Sequence, residues 1–219
     1  MALIQLASPD LSPIANGGAH LQLLEGLAFS DDGKILLVRA TFTDDADATP
    51  GRLHYGVWTY DLTTQQYRDC LNVQLASGGV SARELDVHSA NLAGTSTQLT
   101  LVAETQVRDG SDTRMLARLQ PSGLDASLLA TVLGEDIDIS LERYALSNDG
   151  RFLAIQTDSA LLASDQQPDI NDTSDIYLLD LITRKIERVS FIAGSGVSKP
   201  VILGNVVTTG VKVQVAFNT

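Results

Sequence analysis

The sequence predicts an all-β fold in which strands joined by hairpins form four-stranded antiparallel sheets. Three observations predict it: apolar, β-branched runs of strand length, turns rich in Asp, Asn and Gly, and an internal repeat of these units. The chain has 219 residues, of which 44% are hydrophobic, so it can bury a sizeable core. Its apolar runs, such as residues 35–38, are far shorter than the roughly 20 residues that a membrane-spanning helix needs. We therefore expect a soluble chain without membrane insertion.

The first repeated unit is a polar turn followed by a strand. It reads LAFSDDGKILLVRAT at residues 27–41 and YALSNDGRFLAIQTD at residues 144–158. In each copy, Asp or Asn side chains can hydrogen-bond to their own backbone, and a glycine provides the positive φ that a tight hairpin turn requires. The apolar run that follows has the length and composition of a β-strand.

The second repeated unit is a strand, another polar turn and an outer strand. It reads VWTYDLTTQQYRD from Val57 and IYLLDLITRKIERVS from Ile176. The interval from Asp61 to Asp180 nearly equals the interval between the glycines of the two first units. Two units therefore recur in the same order at the same separation, which predicts a structural repeat. One repeat makes one four-stranded sheet, and such a sheet buries its faces only by stacking on neighbouring sheets.

A degenerate copy of the repeat lies between these two, and a further copy begins after them. In the middle copy, residues 99–107 match the strand after the Gly turn, and residues 113–123 match the strand that ends in a tight turn. In the last copy, residues 211–217 match the strand after the Gly turn. The predicted division is an N-terminal extension or closing strand followed by four repeats, at residues 1–22, 23–83, 84–135, 136–192 and 193–219.

The repeat resembles the TolB-like, or WD-like, β-propeller repeat. That pattern has a Ser-x-Asp-Gly-(Arg/Lys) turn, an acidic loop, and Asp-Ile-Tyr followed at fixed spacing by Asp and Thr. The third copy matches it at Ser147, Asp149, Gly150, Arg151, Ala154, Asp175, Ile176, Tyr177, Asp180 and Thr183. The first copy has GVW in place of DIY and keeps Ser30, Asp32, Gly33, Lys34, Tyr60, Asp61 and Thr63. The resemblance implies a β-propeller of four-stranded antiparallel blades. About three and a half blades fit in the chain, so the ring is incomplete or closed by oligomerisation.

An incomplete ring leaves three alternatives open. The chain is a piece of a longer protein, its blades are completed across a subunit interface, or residues 2–8 (ALIQLAS) supply the closing strand of a small four-bladed ring. An unclosed stack exposes apolar blade faces, and such faces promote association. We therefore expect self-association, or a fragment of a longer chain.

The sequence favours a non-catalytic scaffold that binds a protein partner through its loops. It has no metalloprotease, nucleophile-elbow, phosphate-loop or dinucleotide motif, so we expect no enzyme activity. Its three histidines, His20, His54 and His88, stand in unrelated contexts, and the glycine-rich GSGVSK at residues 194–199 fits a linker. Two alternatives stay open. One is an accessory propeller domain of a hydrolase whose catalytic domain lies outside this chain, and the other is a Ca²⁺-stabilised secreted or surface assembly protein.

Charge and cysteine content restrict the partners and the compartment only in part. The formal net charge of −12 argues against nucleic acid and anionic lipid as partners. The single cysteine, Cys70, cannot form an internal disulfide, and we expect a half-buried strand residue. The N-terminal residues lack the basic region of a Sec signal peptide. Charge, cysteine content and the N-terminal residues thus select no compartment. Only the resemblance implies an extracellular or periplasmic location.

Ca²⁺ is the one cofactor that the residues suggest, at an acidic loop. The loop DINDTSD brings Asp169, Asn171, Asp172 and Asp175 within seven residues, and Ca²⁺ binds clustered carboxylate and amide oxygens. The loop lacks the Gly and Glu of an EF-hand loop, so the candidate is an irregular site. We favour the alternative that these side chains cap the backbone of a long hairpin loop.

A second acidic loop, TDDADATPG, contains Asp44, Asp45 and Asp47. Its Pro-Gly ending favours an exposed turn over a metal site. Shortly after it, Trp58 and Tyr60 alternate on a predicted strand, and we expect both to fill the core.

Overall fold

The computed structural model of the chain describes residues 5–76, 79–108, 114–120, 123–125, 141–157, 161, 175–189, 202–209 and 212–218. Within these residues the fold is all-β, as the sequence predicts, and consists of three four-stranded antiparallel sheets and one two-stranded sheet. Each four-stranded sheet is a meander, in which strands that follow one another in the chain lie side by side.

Sheet 1 contains the first four strands in chain order: β1 (Ala19–Phe29), β2 (Ile35–Asp44), β3 (His54–Asp61) and β4 (Gln66–Cys70). Sheet 2 contains β5 (Leu85–Thr95), β6 (Gln98–Val107), β7 (Arg114–Gln120) and β8 (Gly123–Asp125). Sheet 3 contains β9 (Leu141–Leu146), β10 (Phe152–Thr157), β11 (Asp175–Asp180) and β12 (Lys185–Arg188). The two-stranded sheet pairs β13 (Ile202–Thr209) with β14 (Lys212–Asn218).

The first polar turn has the same hydrogen bonds in sheets 1 and 3. Ser30 Oγ donates to Asp32 Oδ1 at 2.7 Å and accepts from the backbone N–H of Ile35 at 3.0 Å. The corresponding bonds of Ser147, to the Asp two residues on and from the N–H five residues on, measure 2.6 and 2.9 Å. The turn predicted from Ser, Asp and Gly is therefore present in both sheets with the same local chemistry.

The backbone of both polar turns enters the left-handed region at matching positions. Gly33 and Gly150 in the first turn have φ of 65° and 69°, which glycine adopts without steric cost. In the second turn, Gln65 and Arg184 both have φ of 57°. Residues with a Cβ are uncommon in this region, so these two positions carry backbone strain that the flanking strand pairs hold in place.

Apolar clusters join the sheets face to face. One cluster combines residues of sheets 1 and 2 with the segment between them: Leu37, Val57, Leu71, Leu75, Leu85, Val87, Ala90, Leu101, Ala103 and Ala117. Another combines residues of sheets 2 and 3: Val102, Leu116, Leu153, Ile155, Tyr177 and Leu179. Sheet 2 is thus packed between sheets 1 and 3. The central strands β2 and β3 of sheet 1 are buried on both faces, which explains why residues 35–38 are apolar without alternation.

The first strands of successive sheets contact one another in order. β1 contacts β5, β5 contacts β9, and β9 contacts β13. The described residues therefore establish a succession of sheets whose first strands are in contact, and they establish no closed ring of blades.

A short helix, α1 (Leu71–Leu75), was not predicted from the sequence. It follows β4 directly and buries its leucines between sheets 1 and 2. Its buried Asn72 accepts from the backbone N–H of Val57 at 3.2 Å and donates to the carbonyl oxygens of Tyr55 and Leu85 at 3.0 and 2.8 Å. A single side chain thus satisfies backbone groups of both sheets, and this requirement is visible only in the tertiary structure.

The N-terminal segment, defined as residues 5–18, contains no strand. It lies across sheet 1 on the side away from sheet 2, where Leu6, Leu11, Ile14 and Ala15 join the apolar clusters of that face. The alternative of a small closed ring requires residues 2–8 to form a strand. Residues 5–8 form none, and residues 2–4 lie outside the described part. The backbone of this stretch bonds to side chains instead, since the carbonyl oxygen of Ala7 accepts from Tyr67 Oη at 2.8 Å.

Candidate functional site

The predicted Ca²⁺ residues are only partly within the described structure. Asp169, Asn171 and Asp172 lie outside the described residues. Asp175 is the first residue of β11, and its carboxylate is buried and accepts from Arg188 Nη1 at 3.0 Å. A guanidinium beside this carboxylate already neutralises it, which fits a structural pair between β11 and β12 better than a cation ligand. A Ca²⁺ site formed by the other three residues stays a prediction.

The three carboxylates of the second acidic loop point to different partners. Asp44 is buried and accepts from the backbone N–H groups of Asn16 and Ala46 at 2.5 and 2.9 Å. Asp45 is exposed beside His20, with 3.2 Å between its Oδ1 and His20 Nε2. The carboxylate of Asp47 contacts the buried ring of His54. Among the described residues, no group of three or more His, Cys, Asp or Glu side chains could hold a metal ion.

A buried polar network holds this loop to sheets 1 and 2. At its centre is His54, the first residue of β3, with only 1% of its surface exposed. Its Nε2 contacts Asp47 Oδ2, and its Nδ1 lies 3.3 Å from Oδ2 of Asp86 on β5. The other oxygen of Asp86 accepts from Arg108 Nε and from the backbone N–H of Tyr55, both at 2.9 Å. The network therefore links the acidic loop, β3, β5 and the end of β6.

The geometry assigns a charged state to His54. Both ring nitrogens face a carboxylate oxygen, and only the imidazolium can donate from both. Burial by itself lowers the pKa of His54, but the hydrogen bonds to Asp86 and Asp47 outweigh it and raise this pKa above its ordinary value. Burial raises the pKa of Asp86, yet the bond from His54 and the charge of Arg108 bring it below the ordinary value. Asp86 thus contacts both His54 and Arg108, and His54 also contacts Asp47.

This network resembles an acid–base constellation in composition only. A general base must reach the proton of a bound substrate, whereas His54 is enclosed and both of its nitrogens are engaged. Its chemistry is therefore that of a structural clamp. The clamp fixes where the exposed part of the acidic loop, residues 45–53, stands relative to the sheets.

A second polar cluster joins sheets 2 and 3. Ser89 Oγ donates to Glu104 Oε2 and lies within 2.9 Å of Tyr144 Oη. Burial is the main cause that raises the pKa of Tyr144 to about 12, so its hydroxyl stays protonated at neutral pH. Ser89 follows a β-bulge in β5, where the register with β6 shifts between Val87 and Ser89. This cluster hydrogen-bonds across the sheet interface and contains no activated nucleophile.

Three further residues singled out in the sequence, Trp58, Tyr60 and Cys70, lie in sheet 1. Trp58 and Tyr60 are each 4% exposed and fill the core, as predicted. Cys70 ends β4 half-buried, as predicted, and burial raises the pKa of its thiol to about 11, which disfavours the reactive thiolate. Residues 194–199 lie outside the described residues. Sequence reasoning missed that Asp86 pairs with both His54 and Arg108, because neither partner lies near Asp86 in the chain.

Comparison with known proteins does not identify the chain: no family model matches it, and no match is found among curated proteins. Within the described residues, the structure contains no helix with the length and apolar character needed to cross a membrane.

Proposed function

We propose that this chain is a β-propeller-type repeat module that acts as a non-catalytic scaffold for protein interaction. The observation that carries the proposal is the ordered contact of β1 with β5, β5 with β9, and β9 with β13. In a β-propeller, meander sheets stack face to face around a shared axis, and this order of contacts supports such an arrangement. The matching hydrogen bonds of Ser30 and Ser147 support a repeat of one structural unit.

The exposed loop at residues 45–53 is the part of sheet 1 best suited to contact a partner. Its base is fixed by Asp44, which accepts from Ala46 N–H at 2.9 Å, and by the contact of Asp47 with buried His54. Its outer residues, including Asp45 and Arg52, are exposed. A loop whose base is already fixed loses less conformational entropy on binding than a loop that is free along its whole length, and this favours recognition.

The test is affinity capture with the full chain from cells that produce it, followed by calorimetry with the purified partner. The loop variant exchanges charges by combining Asp45→Lys with Arg52→Glu, and the control exchanges charges on β12 by combining Lys185→Glu with Glu187→Lys. Both keep the net charge. We expect the loop variant to weaken partner binding at least about tenfold, or about 1.4 kcal/mol, while the control binds normally.

Two outcomes would overturn the proposal. One is equal partner binding by both double variants and the unmodified chain. The other is hydrolase turnover that co-purifies with the full chain and is lost in a folded His54→Gln variant, because a structural clamp carries no turnover.

A further inference from the structure

One side-chain contact secures the later part of the acidic loop, residues 45–53, to the sheets. The start of the loop is held independently, since Asp44 accepts from Ala46 N–H at 2.9 Å. Asp47 is half-buried, and every residue after it in the loop is exposed. Among these later loop residues, all of which the structure describes, only the Asp47 side chain forms a hydrogen bond or ion pair, and its partner is His54.

The two carboxylates that contact His54 differ in their freedom to move. Asp86 lies on β5 with its side chain 6% exposed, and it is also held by Arg108 Nε and the Tyr55 N–H at 2.9 Å. The Asp47 side chain is 19% exposed and belongs to the loop. If one of the two contacts breaks, Asp47 can turn to water, whereas Asp86 would keep an unpaired oxygen in the interior. The contact with Asp47 is therefore the one that can open.

Loss of a proton from His54 forces this choice. The imidazolium donates from both ring nitrogens, whereas the neutral ring donates from one. A proton on Nδ1 keeps the bond to buried Asp86 and turns the lone pair of Nε2 toward Asp47. A proton on Nε2 instead turns a lone pair toward the buried carboxylate oxygen 3.3 Å away. The first arrangement costs less, because the repelled carboxylate can be hydrated, so deprotonation breaks the contact with Asp47.

The groups around the ring determine the direction of the pH dependence. The loop presents Asp47, β5 presents Asp86, the end of β6 presents Arg108, and β2 presents the uncharged ring of Phe42, with 5.7 Å between the ring centroids. Burial lowers the pKa of His54, the bonds to the two carboxylates outweigh burial, and the charge of Arg108 opposes them, so the pKa stays raised. The contact is therefore intact below pH 6.5 and is lost as the pH rises through the folded-state pKa.

We propose that His54 and Asp47 form a pH-sensitive latch, which fixes the loop at residues 45–53 while His54 is charged and releases it when His54 loses its proton. This inference rests on the interaction role proposed above, because it gives the regulation of the same loop. A released loop must be ordered again when it binds, so its affinity for a partner falls as the latch opens.

Limited proteolysis with trypsin measures release of the loop, because trypsin cleaves after arginine and Arg52 is exposed near the end of the loop. The cleavage rate is followed over a pH series that starts below 6.5 and continues until the ring of His54 has titrated completely by NMR. A synthetic peptide of residues 44–60, digested at each pH, corrects for the pH dependence of trypsin itself. The corrected rate reports the population of open loop when opening is fast relative to cleavage.

The corrected rate of the unmodified chain should rise at least about tenfold, which corresponds to the loss of one hydrogen bond to a charged group. Asp47→Ala should be cleaved at the high rate at every pH, and His54→Gln should show no pH dependence. Asp45→Ala is the matched control: it removes the neighbouring exposed carboxylate and its pair with His20, and its profile should follow that of the unmodified chain. If His54→Gln does not fold by circular dichroism, Asp47→Ala carries the comparison.

NMR of the His54 ring nitrogens gives a second readout. Both nitrogens should carry a proton at low pH, and the neutral ring should keep its proton on Nδ1, which faces Asp86. A neutral ring with its proton on Nε2 would contradict the assignment of Asp47 as the partner that is released.

Two results of the digestion would overturn the latch. One is a corrected rate that stays constant while His54 titrates. The other is an equal rise in cleavage after Arg108, whose side chain is 8% exposed, because the sheets and not the loop would then be opening. Neither readout uses a partner, so failure of the latch leaves the scaffold function standing, and failure to find a partner leaves the latch standing.

Discussion

The substitution Asp86→Asn tests whether the His54 network is a structural clamp. The Asp86 side chain is 6% exposed. Its Oδ1 accepts from Arg108 Nε and the Tyr55 N–H at 2.9 Å and forms an ion pair with Arg108 Nη2 at 2.9 Å, and its Oδ2 lies 3.3 Å from His54 Nδ1. Asparagine has nearly the same shape but offers one acceptor oxygen and adds an NH₂ donor. That donor would face either the His54 N–H or an Arg108 N–H. Both buried cations would also lose their shared counter-charge.

The expected cost follows from removing one partner of a buried charge group, about 3–5 kcal/mol. For a chain of this size, 1 kcal/mol lowers the melting temperature by about 2–4 °C, so we expect a decrease of roughly 6–20 °C. Thermal unfolding followed by circular dichroism measures it. Asp45→Asn is the matched control, because the same chemical change there affects a carboxylate that is 64% exposed and should leave the midpoint almost unchanged. Equal midpoints for both variants would refute the clamp.

Two further predictions concern the histidine and the turn glycines. The raised pKa of His54 means that its stabilisation is fully present below its ordinary pKa of 6.5 and is lost as the pH rises through the folded-state value. As the pH rises from below 6.5 through the folded-state pKa, the unmodified chain should therefore lose more free energy of unfolding than His54→Gln, and parallel profiles in chemical denaturation would contradict this. Gly33→Ala and Gly150→Ala should each cost about 1–2 kcal/mol for the positive φ. Gly150→Ala should melt lower, because its Cβ would also lie 3.1 Å from Thr100 Cβ whereas that of Gly33 meets open space; an equal loss would show that the Thr100 contact is negligible.

The strands and turns could be predicted because their chemistry is local. The hydroxyl of Ser30 bonds to an Asp two residues away and to a backbone N–H five residues away, so all partners lie within one short sequence motif. The same motif at Ser147 builds the same turn without reference to the rest of the chain. Such turns fix which runs pair as neighbours, and this is why the four-stranded meander is readable from the sequence.

The candidate sites could not be predicted in the same way, because their partners are distant in the chain. His54 and Asp86 are 32 positions apart, and Asp86 and Arg108 are 22 positions apart. No local pattern marks such a pair, and each residue taken alone fits an ordinary turn or strand end. Gly56 of β3 did carry a signal, since glycine is unfavourable inside a strand, but the sequence does not show that Ile14 fills the space, with its Cδ1 2.5 Å from where a Cβ would stand.

Arg108 connects the His54 clamp to the N-terminal segment. Arg108 donates to Asp86 through Nε and to the carbonyl oxygen of Ile14 through Nη1. Loss of Asp86 would free this guanidinium to reorient, so the N-terminal segment would lose its hydrogen bond to the carbonyl oxygen of Ile14. Asp86→Asn should therefore also speed the amide hydrogen exchange of Ile14 and Ala15, whose N–H groups bond to the carbonyl oxygen of Leu11. The clamp and the N-terminal segment are then coupled through Arg108, and the degree of coupling is measured by comparing this exchange with that in Asp45→Asn.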